Sequence, residues 1–178
     1  MFKIVVVIAI VIIVPVLGLL IYAATKPDSF SIERSASIEA PPEEIFAILS
    51  DFRRSADWSP FEELDPAMKR SYGGAPSGQG ALYAWEGNDK AGAGSMEITE
   101  ASPPSRLTMK LDFIRPFEAH NVVVFTLEPE ADATRVTWTM HGPMPYMAKL
   151  MSTFASMDRM VGKDFEVGLA NLKRLAEQ

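Results

Sequence analysis

The chain has no cysteine and only two histidines, His120 and His141. Disulfides, thiolate chemistry and a lipoprotein anchor are thereby excluded, and with no HExxH spacing a metal centre would need scattered carboxylates. No metal site and no cofactor is expected. Basic runs are missing as well: Lys and Arg never exceed the pairs Arg53-Arg54, Lys69-Arg70 and Lys173-Arg174, and 17 basic residues against 23 acidic ones leave a net charge of −6. A phosphate backbone demands a basic groove, so nucleic acid is not an expected partner, and the domain is poorly suited to anionic headgroups. Nucleophile and phosphate motifs also fail. Ser95 in Gly92-Ala93-Gly94-Ser95-Met96 lacks the G-x-S-x-G spacing, and Gly162-Lys163-Asp164 lacks the upstream glycine and the Ser/Thr of a P-loop.

Charge is absent from Ile4 to Ala24, a stretch dominated by Val, Ile and Leu. As a helix it would rise about 30 Å, the thickness of a bilayer's hydrocarbon core. Pro15 and Gly18 are tolerated in such helices. The rival reading is a cleaved signal peptide, because Met1-Phe2-Lys3 is a short basic start and Ala23-Ala24 offers small residues near a cut, although signal-peptide apolar cores run only about 7–15 residues. The expected organisation is an N-terminal membrane anchor over residues 1–25, a linker over 26–29, and one domain over 30–178. A short basic tail before the span favours the amine inside. The expected location is therefore the bacterial inner membrane, single-pass, with the globular part in the periplasm.

Beyond the linker, Ile32, Ala36 and Ile38 keep the parity of a half-buried strand, with Arg34 the exception. Ala40-Pro41-Pro42-Glu43-Glu44 then opens a helix carrying Ile45, Phe46 and Leu49, since proline is preset for a first turn. Arg53 to Asp57 reads as a further helical turn, ended at Trp58-Ser59-Pro60 because the residue before proline avoids helical geometry. Strands are predicted at about Met68–Tyr72, Ala81–Glu86, Ser95–Ala101, Leu107–Phe113, Val122–Leu127 and Arg135–Met140, separated by Gly, Pro, Asn and Asp clusters. Strands in succession with short turns make an antiparallel meander. Alternation sets Leu107, Met109, Leu111 and Phe113 on one face, likewise Val136, Trp138 and Met140, and both sets should face a helix. For Tyr83 and Trp85 parity alone is ambiguous, and the aromatic pair is placed inward. The C-terminal helix shows Met157, Val161, Phe165, Leu169, Leu172 and Ala176 along one stripe. Gly162 and Gly168 interrupt it at a cost of about 1 kcal/mol each against alanine, so each needs an offset: close approach to the sheet, or space for a bound molecule.

The run Ala40-Pro41-Pro42-Glu43-Glu44-Ile45-Phe46 with Asp57-Trp58-Ser59-Pro60 resembles the opening of the START-like, or SRPBCC, superfamily, most closely its bacterial polyketide cyclase/dehydrase-like branch. Asp65 to Lys69, Tyr83 to Asn88, Gly92 with Gly94, Thr134 to Trp138 and Val161 to Phe165 extend the likeness over most of the chain from about Phe30. The resemblance implies an α+β helix-grip fold, a curved antiparallel sheet around a long C-terminal helix, here preceded by one transmembrane helix. It also implies a ligand cavity without naming a ligand. The candidates to line it are Trp58, Tyr83, Trp85, Phe113, Trp138, Met140, Phe165 and Gly168, for all of which ordinary core packing is the plainer alternative.

Six of the ten methionines, Met140, Met144, Met147, Met151, Met157 and Met160, fall between the last strand and the early C-terminal helix. Met144, Met147, Leu150, Met151 and Phe154 match one face of a short helix, readable as a pliable wall or lid, as adaptable core, or as a contact with the bilayer. The loop Gly73–Gly80 reads as a flexible turn beside the cavity mouth. Proton-transfer candidates are His120, His141, Glu86 and Asp65, none in a constellation that marks a catalytic group, so the catalytic residues stay unassigned. Three readings follow. The leading one is a membrane-anchored binding or carrier domain for a small apolar ligand, lipid or isoprenoid-like; the others are a polyketide cyclase/dehydrase-like enzyme and a membrane-bound protein-interaction module, for which no protein partner is specified.

Overall fold

The proline pair at 41–42 and the glycine-rich turns divide the chain much as their chemistry requires. The computed structural model describes residues 2–153 and 156–178, with backbone alone at 2–10, 157 and 160. Helix α1 (Phe2–Ala24) leads to strand β1 (Ser29–Ile38) and helix α2 (Pro42–Leu49). Two 3-10 turns follow, over Phe52–Asp57 and Pro60–Leu64; Asp51 caps the first by accepting from the Arg53 backbone N–H. The meander is β2 (Lys69–Gly74), β3 (Ala81–Glu86), β4 (Ala93–Ser102), β5 (Arg106–Arg115), β6 (Ala119–Glu130) and β7 (Ala133–Pro143). Helices α3 (Tyr146–Met151) and α4 (Met157–Ala176) close the chain, and the Ser156 hydroxyl caps α4 by accepting from the Arg159 N–H.

All strands pair antiparallel in one seven-stranded sheet of order β1-β7-β6-β5-β4-β3-β2, with register shifts in β4 that help it curve. The inner face carries Ile98, Leu107, Phe125, Leu127 and Val136, all sealed against α2 and the C-terminal half of α4. The expected stripe of α4 is the buried one at Phe165, Leu169 and Leu172, while Met157 lies outside the described side chains.

Arg34, the exception in β1, stands opposite Trp138 and so points inward with its neighbours. Its guanidinium donates to Asp158 and Glu166, both at 2.8 Å, and lies across Gly162, where any side chain would collide with it. Asp158, Gly162 and Glu166 recur every fourth residue, on one face of α4, so the glycine opens the gap through which an inward arginine bridges two acids. Gly168 has a different neighbour: a Cβ there would stand 2.7 Å from the Trp138 ring and 3.1 Å from Pro60. Close approach offsets this glycine.

The predicted methionine face of the short helix is corrected. Pro145 is the N-cap of α3, so Met144 lies before the helix and is buried, whereas Met147 and Met151 point outward; Phe154 lies outside the described residues. Lys149 is the buried side chain of α3, because it pairs with Asp28 of the linker. That bond holds the Asp28 carboxyl below the usual carboxylate range. Lys26 Nζ donates to the Ser152 carbonyl at 2.7 Å, the Met144 N–H to the Asp28 carbonyl at 2.7 Å, and the Tyr146 hydroxyl to the Leu20 carbonyl at 3.0 Å. The linker is therefore strapped to α3. Helix α1 itself runs 23 residues, and its described side chains from Val11 to Tyr22 leave large apolar groups exposed. Among the described residues no helix is long and apolar enough to cross a membrane. The described side chains of α1 begin at Val11, and residues 11–24 alone rise only about 21 Å.

Candidate functional site

The inner face changes character along its strands. At the far end, beneath α2 and the end of α4, Ile38, Leu107 and Val136 are sealed; at the linker end, Trp85, Met96 and Phe113 are only half-buried. Register explains the grouping, because Tyr72, Tyr83, Met96, Leu111 and Asn121 form one cross-strand row and Trp85, Gly94, Phe113 and Ala119 the next. Tyr83 stacks between Tyr72 and Trp85 at 5.4 and 5.9 Å, Phe52 covers it at 5.7 Å, and Phe113 meets Trp85 edge-on at 5.7 Å. This aromatic ladder is the apolar part of the site.

Its polar part comes from the second 3-10 turn. The Tyr83 hydroxyl donates to Glu62 Oε1 at 2.6 Å, and Arg70 Nε donates to Glu62 Oε2 at 2.7 Å. Glu62 is buried, so its two oxygens are held by one neutral and one cationic donor, the arrangement that makes a buried carboxylate tolerable. Burial above all, then the bond to Glu62 and its negative charge, push the Tyr83 phenol well above the usual tyrosine range. The sign of the consequence follows. A folded-state value above the unfolded one, near 10, means stability present below about pH 10 and lost as pH rises beyond it. Tyr83→Phe should remove that alkaline loss while costing about 1.5–3 kcal/mol at neutral pH for the missing hydrogen bond to a buried carboxylate, measured by urea titration at several pH values. An unchanged alkaline slope would contradict the placement of the phenol.

Asn121 supplies a second polar group. It shares the inner face with Val123, Phe125 and Leu127, is buried, and folds across Gly142, whose missing side chain makes the room. Among the described residues the buried indole N–H groups of Trp58 and Trp138 lack acceptors.

The residues expected to line a cavity thus divide. Tyr83, Trp85 and Phe113 gather at the half-open end, with Met140 buried one row deeper beside Val123. Trp58, Trp138, Phe165 and Gly168 instead form a tight knot: Trp138 lies 4.0 Å from Phe165 at 8°, with Trp58 edge-on at 5.4 Å. The proton-transfer candidates are not in the site. His120 is exposed on the outer face against Asp112 at 2.7 Å, His141 and Glu86 are exposed, and Asp65 accepts from the backbone N–H groups of Ala67 and Asn88. Nor does the Gly73–Gly80 loop flank the half-open end; its Gly78 and Gly80 N–H groups are tied to Ser50 and Ile98 at the opposite end.

Two surface hollows accompany the site. One of about 460 Å³ lies on the outer face among Leu82, Ser95, Lys110 and Asp112, turned away from the helix. The other, about 330 Å³, lies between the linker, β1 and the start of α4, with apolar walls from Phe30, Ile32 and Met144. Glu62, Arg70 and Asn121 were missed in the sequence. Asn121 was readable: a strand begun at Ala119 instead of Val122 puts it in phase with Val123 and Phe125. Glu62 sits in a 3-10 turn with no periodicity to expose it.

A seven-stranded antiparallel sheet gripping a C-terminal helix, with aromatic side chains and a few buried polar groups on its concave face, defines a START-like helix-grip domain. The chain belongs to the family described as polyketide cyclase / dehydrase and lipid transport, whose model matches residues 29–177. Solved structures share the fold at low identity. DynU16, from the dynemicin biosynthetic locus, is 21% identical with a TM-score of 0.59, over 86% of this chain and 48% of that one. Protein CV1439 from Chromobacterium violaceum is 14% identical with a TM-score of 0.58, over 86% of this chain and 99% of that one. The di-domain ARO/CYC protein BexL of the BE-7585A pathway is 12% identical with a TM-score of 0.61, over 88% of this chain and 53% of that one. This chain therefore spans about half the length of DynU16 and of BexL. No curated protein matches it.

Proposed function

We propose that this chain is a membrane-anchored binding or carrier domain for a small apolar ligand, lipid or isoprenoid-like, with α1 as a single span of the bacterial inner membrane and the domain on the periplasmic side. The observation that carries it is the gradient of the inner face, sealed at the far end and half-open at the end where α1 and its linker leave the domain. The apolar-walled hollow beside Phe30, Ile32 and Met144 lies on that same side. A ligand drawn from the bilayer would then meet the site at the raised effective concentration that tethering provides. Trp85, Met96 and Phe113 offer apolar contact, and the Asn121 amide and the Tyr83–Glu62 pair offer orientation, the composition expected of a small-molecule site.

Uptake of a fluorescent fatty acid by the full chain in detergent tests this. Trp85→Ala and Phe113→Ala should each weaken uptake about tenfold or more, since burying a large apolar side chain contributes about 1.5–3 kcal/mol. Leu82→Ala, on the outer face, should leave it unchanged. Equal uptake by all three variants would place the ligand elsewhere.

The buried Tyr83–Glu62–Arg70 arrangement favours a second reading, the cyclase/dehydrase-like one, in which the phenol turns its one proton from Glu62 to a substrate carbonyl while Arg70 keeps its hold on the carboxylate. Under that reading Tyr83→Phe keeps ligand uptake and loses turnover of a polyketide-like substrate.

A further inference from the structure

Outside α1, the four most exposed large apolar side chains among the described residues are Phe117 at 69%, Met147 at 65%, Ile114 at 64% and Met151 at 56%. All four lie at one end of the domain. Ile114 at the end of β5 and Phe117 in the turn that follows lie where Phe113 pairs with Ala119, and the sheet at that end also holds the start of β1 and the end of β7, where Ser29 pairs with Pro143. Met147 and Met151 stand one helical turn apart on α3, which is strapped to the linker through Lys149 and Asp28 and to α1 through Tyr146. The turns at the opposite end, Ala75–Gly80, Pro103–Ser105 and Ala131–Asp132, carry no exposed large apolar side chain. Leu82, Tyr72 and Val167 are exposed elsewhere, but each less than half, so the most exposed apolar groups gather at the end from which an exposed apolar helix leaves, and they mark a surface that meets something apolar.

We propose that the β5–β6 turn and the outward face of α3 enter the interfacial layer of the lipid bilayer beside α1, seating the half-open end of the inner face against the membrane. The proposal rests on the anchoring of α1 put forward above. The partner is a lipid surface engaged by apolar insertion and not by charge: Arg115 at the end of β5 is turned back to Glu86 at 3.6 Å, and Glu118 in the turn is an exposed acid that anionic headgroups would repel. Two apolar residues in a turn and two on a short helix have the size of a shallow insertion, consistent with side chains that sit at the boundary of headgroups and acyl chains.

Because the chain has no cysteine, a single introduced one is labelled uniquely. Phe117→Cys carrying an environment-sensitive nitrobenzoxadiazole dye, in the full chain reconstituted into phosphatidylcholine vesicles, should shift its emission to the blue relative to the free dye conjugate in aqueous buffer, and should be quenched by spin-labelled lipid. Asp132→Cys, in the opposite turn, should show neither effect, and high salt should leave both unchanged. Ile114→Cys repeats the measurement if Phe117→Cys fails to fold. Chains that float with the vesicles but give the same unquenched emission at 117 as at 132 would overturn the seating while leaving the anchor intact. Chains that fail to float would overturn both, and quenching at 117 that disappears in high salt would overturn insertion in favour of charge.

Discussion

Replacing Phe165 with alanine is expected to destabilise the domain by about 3–5 kcal/mol, the range for removing a fully buried aromatic ring from a core. Phe165 is 1% exposed and lies face to face with Trp138 at 4.0 Å, in a knot that Trp58 and Phe125 complete from the other side of Trp138. It is the contact that joins α4 to the centre of the sheet, so its loss leaves a cavity between the two layers that neither can collapse into. Urea unfolding followed by tryptophan fluorescence reads the change directly. A loss under about 1 kcal/mol would mean that the site collapses freely and that the knot does not hold the helix.

Gly168→Leu probes the same junction from the opposite direction. The first atom of any side chain at 168 would already stand 2.7 Å from the Trp138 ring, and Trp138 has no free space to yield, being enclosed by Phe61, Phe125 and Phe165. Overpacking of this kind costs about 1–3 kcal/mol, occasionally more, and here the helix must lift from the sheet or Trp138 must leave its position. The expected result is a lower urea midpoint with a displaced tryptophan signal, and with ligand uptake reduced only as far as the fold is disturbed. Full stability together with lost uptake would show instead that the space at 168 belongs to a ligand.

These residues also show how far the sequence could be read. The spacing of Phe165, Gly168, Leu169 and Leu172 was sufficient to place the inward face of α4, and strict alternation placed Leu107, Met109, Val136 and Trp138. Alternation misled where a partner lay far away in sequence: Arg34 broke the β1 pattern only because Asp158 and Glu166, more than a hundred residues later, were not visible as its partners. The methionine stripe failed for a local reason. Met144 was assigned to the same helical face as Met147 and Met151, whereas Pro145 is the N-cap, so Met144 precedes the helix and is buried while the other two face outward. The burial of Lys149 was hidden in the same way as Arg34, since its carboxylate partner is Asp28 in the linker. Of the site, parity placed Phe113 but left Tyr83 and Trp85 open, and the polar part was not legible, because Glu62 sits in an irregular turn and reaches Tyr83 and Arg70 only across space.

The proposed function is a tethered domain that takes an apolar molecule at the half-open end of its inner face. Native mass spectrometry of the full chain released from its own membranes measures it most directly. The expected spectrum shows the chain with its N-terminal helix retained and a second species heavier by the mass of one small apolar molecule, diminished in Trp85→Ala. A chain beginning near Thr25, or an intact chain with no bound molecule and no uptake of added fatty acid, would contradict it.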